Sequence, residues 1–372
     1  MKYIPLIKPE IDAKKLKIAI GKIAQSGVLT KGEYLASFEK KLANYLKVKY
    51  VFATSSCTTA LHLSLAALGI EAGDEVIVSD FSFPATGNVV AQIGAKPVFI
   101  DIEEDSFNID PAKIEKAITK KTKAIIVVHA FGIPANMTEI LKISKKHKIP
   151  VIEDAACALG SIHKDKFCGA WADLGCFSFH PRKTITTGEG GAVVTNDSKL
   201  AKKIEVLRNH GGVIKADGDW EFIENGFNYR LSELQAALGV EQMTKIKSTT
   251  VDRQKIAKMY FQKLSGLEGI KFVTVLKDDI TNFQSFVILL DKNIDREDLR
   301  KKLAKNKIET TIGTYAMHAQ KSFARFGFKP GDLPNSYFAY KHSLTLPLYG
   351  QMTQKEIEYV VGKLKDCLKD EK

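Results

Sequence analysis

The chain has 372 residues, 45% hydrophobic and 26% charged, with a formal net charge of +12. That is enough apolar material for a sizeable core split over two domains, but no run approaches the ~18 consecutive apolar residues of a membrane-spanning helix, and the start, MKYIPLIKPEID, lacks the apolar stretch and cleavage site of a signal peptide. The lysines are scattered as solvated helix faces rather than gathered into a nucleic-acid or membrane patch, although a phosphorylated small substrate would fit the same charge.

Strands are expected at 50–55 (YVFATS), 75–80 (EVIVSD), 97–102 (PVFIDI), 124–130 (AIIVVHA), 150–155 (PVIEDA), 176–180 (CFSFH) and 191–195 (GAVVT). Most are nearly continuous apolar runs, the pattern of strands covered on both faces. Helical stretches lie between them at 58–69, 111–118 and 137–147, and this alternation argues for an α/β fold with a mostly parallel sheet. Residues 231–247 read as one long helix. Beyond it come helical patterns near 252–264, a strand at 283–290, and helices near 296–305 and 353–368. A boundary near 250 is expected, dividing a large α/β domain (1–250) from a smaller α+β domain (251–372), with the N-terminal segment free to pack on the smaller one.

Five cysteines, Cys57, Cys157, Cys168, Cys176 and Cys367, show no paired C-x-x-C spacing. Free thiols in a reducing compartment, the cytoplasm, are expected rather than disulfides or a zinc site. The eight histidines have no metal spacing either, so no metal is expected. Cys57 and Cys176 could be nucleophiles, but small-residue packing suits them better.

Three stretches carry chemistry. In SSCTTALHLSL (55–65), Ser55, Ser56, Thr58 and Thr59 sit where a helix begins; one would serve as a cap, and the cluster would suit a phosphate at the positive helix end. VIEDAACALG (151–160) places Glu153 and Asp154 at the end of a very apolar strand, where a carboxylate must be paired or functional. FSFHPRKTITTGEGGAVVT (177–195) places Lys183 just past a strand, before a glycine-rich bend. Arg182 and Phe177 stand where a P-loop requires glycine, and no dinucleotide fingerprint follows any strand. A phosphate cradle, an acid and a lysine at three strand ends of one sheet form the set that pyridoxal 5′-phosphate requires: an amine for its aldehyde, an acid for its ring nitrogen, and donors for its phosphate.

The same residues resemble the DegT/DnrJ/EryC1/StrS sugar aminotransferases, nearly end to end. The similarity runs through GVLTKGEYLASFEKKLANYL, TTALHLSLAALG, SDFSFPATGNVVAQIGAKPVFIDI, VIEDAACALG, FSFHPRKTITTGEGGAVVT, RNHGG, NGFNYRLSELQAALGVEQ and MHAQKSF. The resemblance implies the fold of type I pyridoxal-phosphate aminotransferases. It implies Lys183 as the amine that bonds the cofactor, Asp154 as partner of the ring nitrogen, Phe83 stacked on the ring, and Thr58, the Thr59 N–H and Ser178 on the phosphate. Asn228 would reach the phosphate from the other subunit of a homodimer, and Arg230, Tyr315 and His318 would face substrate. Cys157 stands where relatives often carry glutamine or histidine toward the cofactor's ring oxygen, and Cys57 stands where glycine is common. The implied reaction moves an amino group from glutamate to a nucleotide-linked keto-sugar, with TTGEGG resembling members that act at C4 of a 4-keto-6-deoxyhexose. A C3-acting member, a dehydratase, which has histidine in place of the lysine, and a cofactor-binding regulator without turnover are the competing readings.

Overall fold

The computed structural model describes residues 2–369. Seven strands form the large sheet: β1 (Tyr50–Thr54), β2 (Glu75–Ser79), β3 (Lys96–Ile100), β4 (Thr122–Val128), β5 (Val151–Asp154), β6 (Leu174–Ser178) and β7 (Gly191–Thr195). Their spatial order is β1-β7-β6-β5-β4-β2-β3. The pairs from β6 to β3 are parallel, while β7 runs antiparallel to both neighbours. The uninterrupted Ile and Val of β4 have the reason expected of them, because helices cover both faces. Leu61, Leu65, Val89 and Ile204 pack on one side with Val76 and Val78. Ile114 and Ile140 pack on the other with Ile77 and Ile125, beside a further layer in which Phe38 and Ala236 meet Phe177 and Phe179.

The register decides where chemistry can sit. Val128 lies beside Asp154, Asp154 beside Cys176, Ser178 beside Gly191, and Gly191 beside Thr54. The carboxyl ends of β4, β5 and β6 therefore meet the start of β7 along one edge, the edge at which open α/β sheets bind ligands.

A second core surrounds an antiparallel sheet of β8 (Ile270–Phe272), β9 (Phe286–Leu290), β10 (Thr311–Ile312) and β11 (Ser343–Leu346), in the order β8-β9-β11-β10. Tyr260, Ile288, Leu299, Leu344, Val360 and Leu364 fill it. Ile4 belongs to this core and bridges to Ile308, while the Leu6 N–H donates to Glu309 at 2.9 Å. A few residues on, the Glu10 carbonyl accepts from Gln242 of the large body at 2.7 Å.

Two features differ from the sequence reading. The stretch 231–247 is not one helix: Glu233–Met243 ends at Thr244, and Ile246–Leu264 begins after Lys245. Its first residue, Ile246, packs with the large body, whereas Ile256 and Tyr260 pack in the small one. The stretch after Tyr315 also returns to the large core, where Met317 and Phe323 pack with Val89 and Phe99. Among the described residues no helix is long and apolar enough to cross a membrane, and no cluster of side chains could hold a metal ion.

Candidate active site

The helix Cys57–Ala67 starts directly after β1, and its first turn is capped by Ser56. Ser56 Oγ accepts from the Thr59 N–H at 3.1 Å, and Thr59 Oγ1 accepts from the Ser56 N–H at 3.1 Å, a reciprocal capping box. This corrects one expectation. The Thr59 N–H already has a partner inside the chain, so the N–H groups of Cys57 and Thr58 are the ones left without one among the described residues. Gly191 brings β7 against this turn. A Cβ there would stand 2.4 Å from the Ser56 carbonyl carbon and 2.5 Å from the Cys57 nitrogen, so only glycine fits.

At the end of β5, successive carboxylates point to opposite faces, as strand geometry demands. Glu153 turns into the interior, where it accepts from the N–H groups of Gly169 (2.6 Å), Trp171 (2.7 Å) and Ala172 (2.8 Å). His129 Nε2 adds a fourth contact at 2.9 Å; its Nδ1 accepts from Ala135, which leaves the ring proton on Nε2 facing Glu153. Glu153 is thereby fully satisfied and structural. Asp154 turns toward the sheet edge. Its Oδ2 accepts from Thr86 Oγ1 at 2.7 Å and its Oδ1 from the Ala156 N–H at 3.2 Å. Burial pushes its carboxyl above the usual range, while the Thr86 hydroxyl, the Ala156 N–H and the Lys183 charge draw it back in part.

Lys183 follows β6 in a turn closed by its own N–H on the His180 carbonyl at 2.9 Å. The next bend is held by Thr186 Oγ1 on the Phe179 carbonyl (2.9 Å) and Thr187 Oγ1 on the Glu189 carbonyl (2.7 Å), with Gly188 at φ +83°. The lysine Nζ donates to Cys157 Sγ at 3.1 Å. Burial alone would lower the Lys183 ammonium, but Cys157, Cys57 and Asp154 together outweigh it and hold the amine above its ordinary value.

A cavity of about 510 Å³ joins these elements, lined by Thr58, Phe83, Asp154, Cys157, Ser178 and Lys183. Phe83 is 65% exposed at its mouth, with its ring 6.3 Å from that of Tyr315. Arg230 lines a separate cavity of about 520 Å³ together with Lys31, Arg208 and Trp220. Asn228 is exposed and bridges to Asn209, outside the Lys183 cavity. His318 is not among the residues that line the Lys183 cavity; it is 2% exposed and engaged by Asp80. Cys57 and Cys176 are buried and their thiols are pushed up by burial, which suits packing and not nucleophilic attack.

Thr86, Asn282 and Gly191 are site residues that sequence reasoning did not single out. Asn282 is buried, and its side-chain amide donates to the carbonyls of Cys157 and Leu159 (both 2.9 Å) and to Thr184 Oγ1 (3.1 Å), tying together the loops that carry Cys157 and Lys183. Thr86 sits in the quoted SFPAT stretch, three residues past Phe83. Asn282 is 99 positions from Lys183, and no local pattern points to it.

The donor set fits pyridoxal phosphate. Two unpartnered N–H groups, with the hydroxyls of Thr58 and Ser178 nearby, suit its phosphate, a buried acid suits its ring nitrogen, and an amine on the same cavity suits its aldehyde. The fold and site together define a type I pyridoxal-phosphate enzyme. The profile of the DegT/DnrJ/EryC1/StrS aminotransferase family matches residues 10–365, and the chain belongs to that family. It is 37% identical to an uncharacterised protein of Methanocaldococcus jannaschii, over 99% of this chain and 98% of that one. It is 33% identical to the GDP-perosamine synthase of Escherichia coli O157:H7, over the full length of both. The solved structure of Helicobacter pylori PseC, an aminotransferase of pseudoaminic acid biosynthesis, superposes with a TM-score of 0.94 at 29% identity, covering 99% of this chain and 100% of that one. The protein is a sugar aminotransferase, and its cofactor is pyridoxal 5′-phosphate.

Proposed function

We propose that the protein transfers an amino group from glutamate to a nucleotide-linked 4-keto-6-deoxyhexose, as a cytoplasmic homodimer with shared active sites. The observation that carries the reading is the convergence of Lys183 and Asp154 on one cavity from adjacent strand ends. When bound, pyridoxal phosphate supplies an aldehyde for covalent capture and a cationic ring that takes up the electron pair released at the donor's α-carbon. Asp154, kept in place by Thr86 and Ala156, holds a proton on the ring nitrogen. The Cys57 and Thr58 N–H groups, with the Thr58 and Ser178 hydroxyls, would hold the phosphate, and Phe83 would cover the ring from the cavity mouth. Lys183 would anchor the cofactor, and its amine would accept the proton lost from the donor's α-carbon. The same amine returns a proton to the sugar carbon in the second half of the reaction.

The nucleotide-linked substrate is supported by the second cavity. There burial first, then the charges of Arg230 and Arg208, push the Lys31 ammonium down, opposed by Glu205. Arg208 is paired with Glu39 and Arg230 donates to Asn209 Oδ1 at 2.5 Å, while Glu205 lines the same cavity, so Lys31 is the cation best placed to meet a phosphate there. The homodimer is supported by Ile214, Trp220, Phe222 and Ile223, exposed together on and beside one hairpin. Asn228 and Arg230 are the residues we expect such a partner to receive at its own site. The GDP-perosamine synthases among the relatives carry a nucleotide-linked amino-sugar in their name, which accords with this substrate class. The deciding experiment is a screen of nucleotide keto-sugars with glutamate, with products identified by mass and stereochemistry. Amination of a 4-keto-6-deoxyhexose is expected, and a product aminated at C3, or none from any nucleotide sugar, would reject the reading.

A further inference from the structure

The cavity wall that carries Phe83 stands on a very short ladder. Phe81–Ser82 pairs antiparallel with Tyr315–Ala316, two residues on each side. A pairing of that length does not hold itself together in water. Its anchor lies one residue back, at the fully buried Asp80. The Asp80 carbonyl accepts from the Met317 N–H at 3.0 Å. Its Oδ1 accepts from the His318 N–H at 2.7 Å, and its Oδ2 faces His318 Nδ1 at 2.6 Å. His318 Nε2 faces the Pro330 carbonyl at 3.3 Å. Both ring nitrogens thus face oxygen acceptors, the arrangement of a doubly donating imidazolium. The ladder continues toward the cofactor site: Ser82 Oγ lies 2.9 Å from Thr86 Oγ1, which donates to Asp154 Oδ2 at 2.7 Å.

We propose that His318 and Asp80 form a clasp that positions the Phe83 wall and, through Ser82 and Thr86, the Asp154 carboxylate. His318 is then a positioning residue for cofactor binding, acting from beneath the wall and never touching the cofactor. The proposal rests on Asp154 as the partner of the ring nitrogen. The groups facing the imidazole are Asp80 at the end of β2, Asp101 at the end of β3, the Pro330 carbonyl, and the Tyr337 ring at 6.3 Å. Asp101 is itself held by Lys113 at 3.3 Å and by the N–H groups of Asn335 and Ser336. Burial lowers the imidazolium, but the Asp80 hydrogen bond and charge, with Pro330 and Asp101, outweigh it and hold it above its ordinary value. The charge-assisted part of the clasp is therefore present below that raised value and is lost as pH rises through it, while the Met317 and His318 N–H bonds to Asp80 do not titrate.

The test is a double-mutant cycle on the cofactor-free full chain, titrated with pyridoxal phosphate at pH 7 and followed by absorbance. His318→Gln and Thr86→Val are each expected to weaken binding about tenfold, and the double variant to bind no more weakly than the weaker single, because the two act along one path. Losses that multiply in the double variant, or unchanged affinity in His318→Gln, would overturn the clasp. Carbon-13 histidine NMR gives a second readout: one ring resonance, absent from His318→Gln, is expected to titrate above the ordinary ~6.5, and its titration at or below that value counts against the proposal. Should His318→Gln fail to fold, Asp80→Asn takes its place in the cycle with the same two outcomes. If Asp154→Ala bound the cofactor as tightly as the wild type, the reading of Asp154 would fail instead, which separates the two ideas.

Discussion

Cys157 bears on the Lys183 amine that the proposed reaction requires. Its sulfur accepts the Lys183 proton donor at 3.1 Å and stands first among the influences that raise the lysine. Capture of the cofactor aldehyde requires a neutral amine, which becomes abundant only as pH rises through the raised value. Cys157→Ala removes that influence and leaves burial, which lowers the lysine, with less opposition. The variant is expected to load pyridoxal phosphate at lower pH than the wild type, as read from absorbance time courses across a pH series; an unchanged or alkaline-shifted profile would contradict this. Lys183→Ala is expected to lose at least ~10³-fold in turnover, since it removes both the covalent anchor and a positioned proton carrier. Its circular dichroism should stay that of the wild type. Asp154→Asn keeps the shape but not the charge, and is expected to lose ~10²–10³-fold, measured as the rate of the glutamate half-reaction.

Among the elements, the turn between β1 and its helix shows how backbone packing makes a binding site. Ser56 spends its side chain on Thr59, and Gly191 allows β7 to lie against the same turn. Gly191→Ala would force the two backbones apart, at a cost of about 1–3 kcal/mol, and is expected to weaken cofactor retention by more than it lowers the melting temperature of the cofactor-free chain. Equilibrium dialysis beside thermal unfolding separates the two effects. The strands were readable from sequence because covered strands leave continuous apolar runs, and Asp154 and Lys183 were readable because charges interrupt those runs at their ends. The false single helix over 231–247 has the opposite cause: nothing in Met243-Thr244-Lys245 is a strong breaker, and the turn there follows from Ile246 packing on one body and Ile256 on another. His318 was a substrate-side candidate through the family resemblance alone, and nothing local in the sequence points to its contact with a carboxylate 238 positions away.

For the whole molecule, the exposed apolar hairpin, the cation-rich cavity beside it and the exposed Asn228 invite one measurement. Asn228→Ala is expected to weaken cofactor retention roughly tenfold, as for loss of a hydrogen bond to a charged group, provided that the protein sediments as a dimer. A fully active monomer in analytical ultracentrifugation would remove the shared site. The same scale gives the N-terminal segment its meaning. Ile4 is bound into the small core, Glu10 is held by the large one, and Leu6 and Ile7, between them, line the Lys183 cavity. Seven residues, Ile4 to Glu10, thus stitch the two bodies together across the Lys183 cavity, so any rocking of one body on the other must draw on this thread, and a load applied to the start of the chain would be felt first at the wall of that cavity.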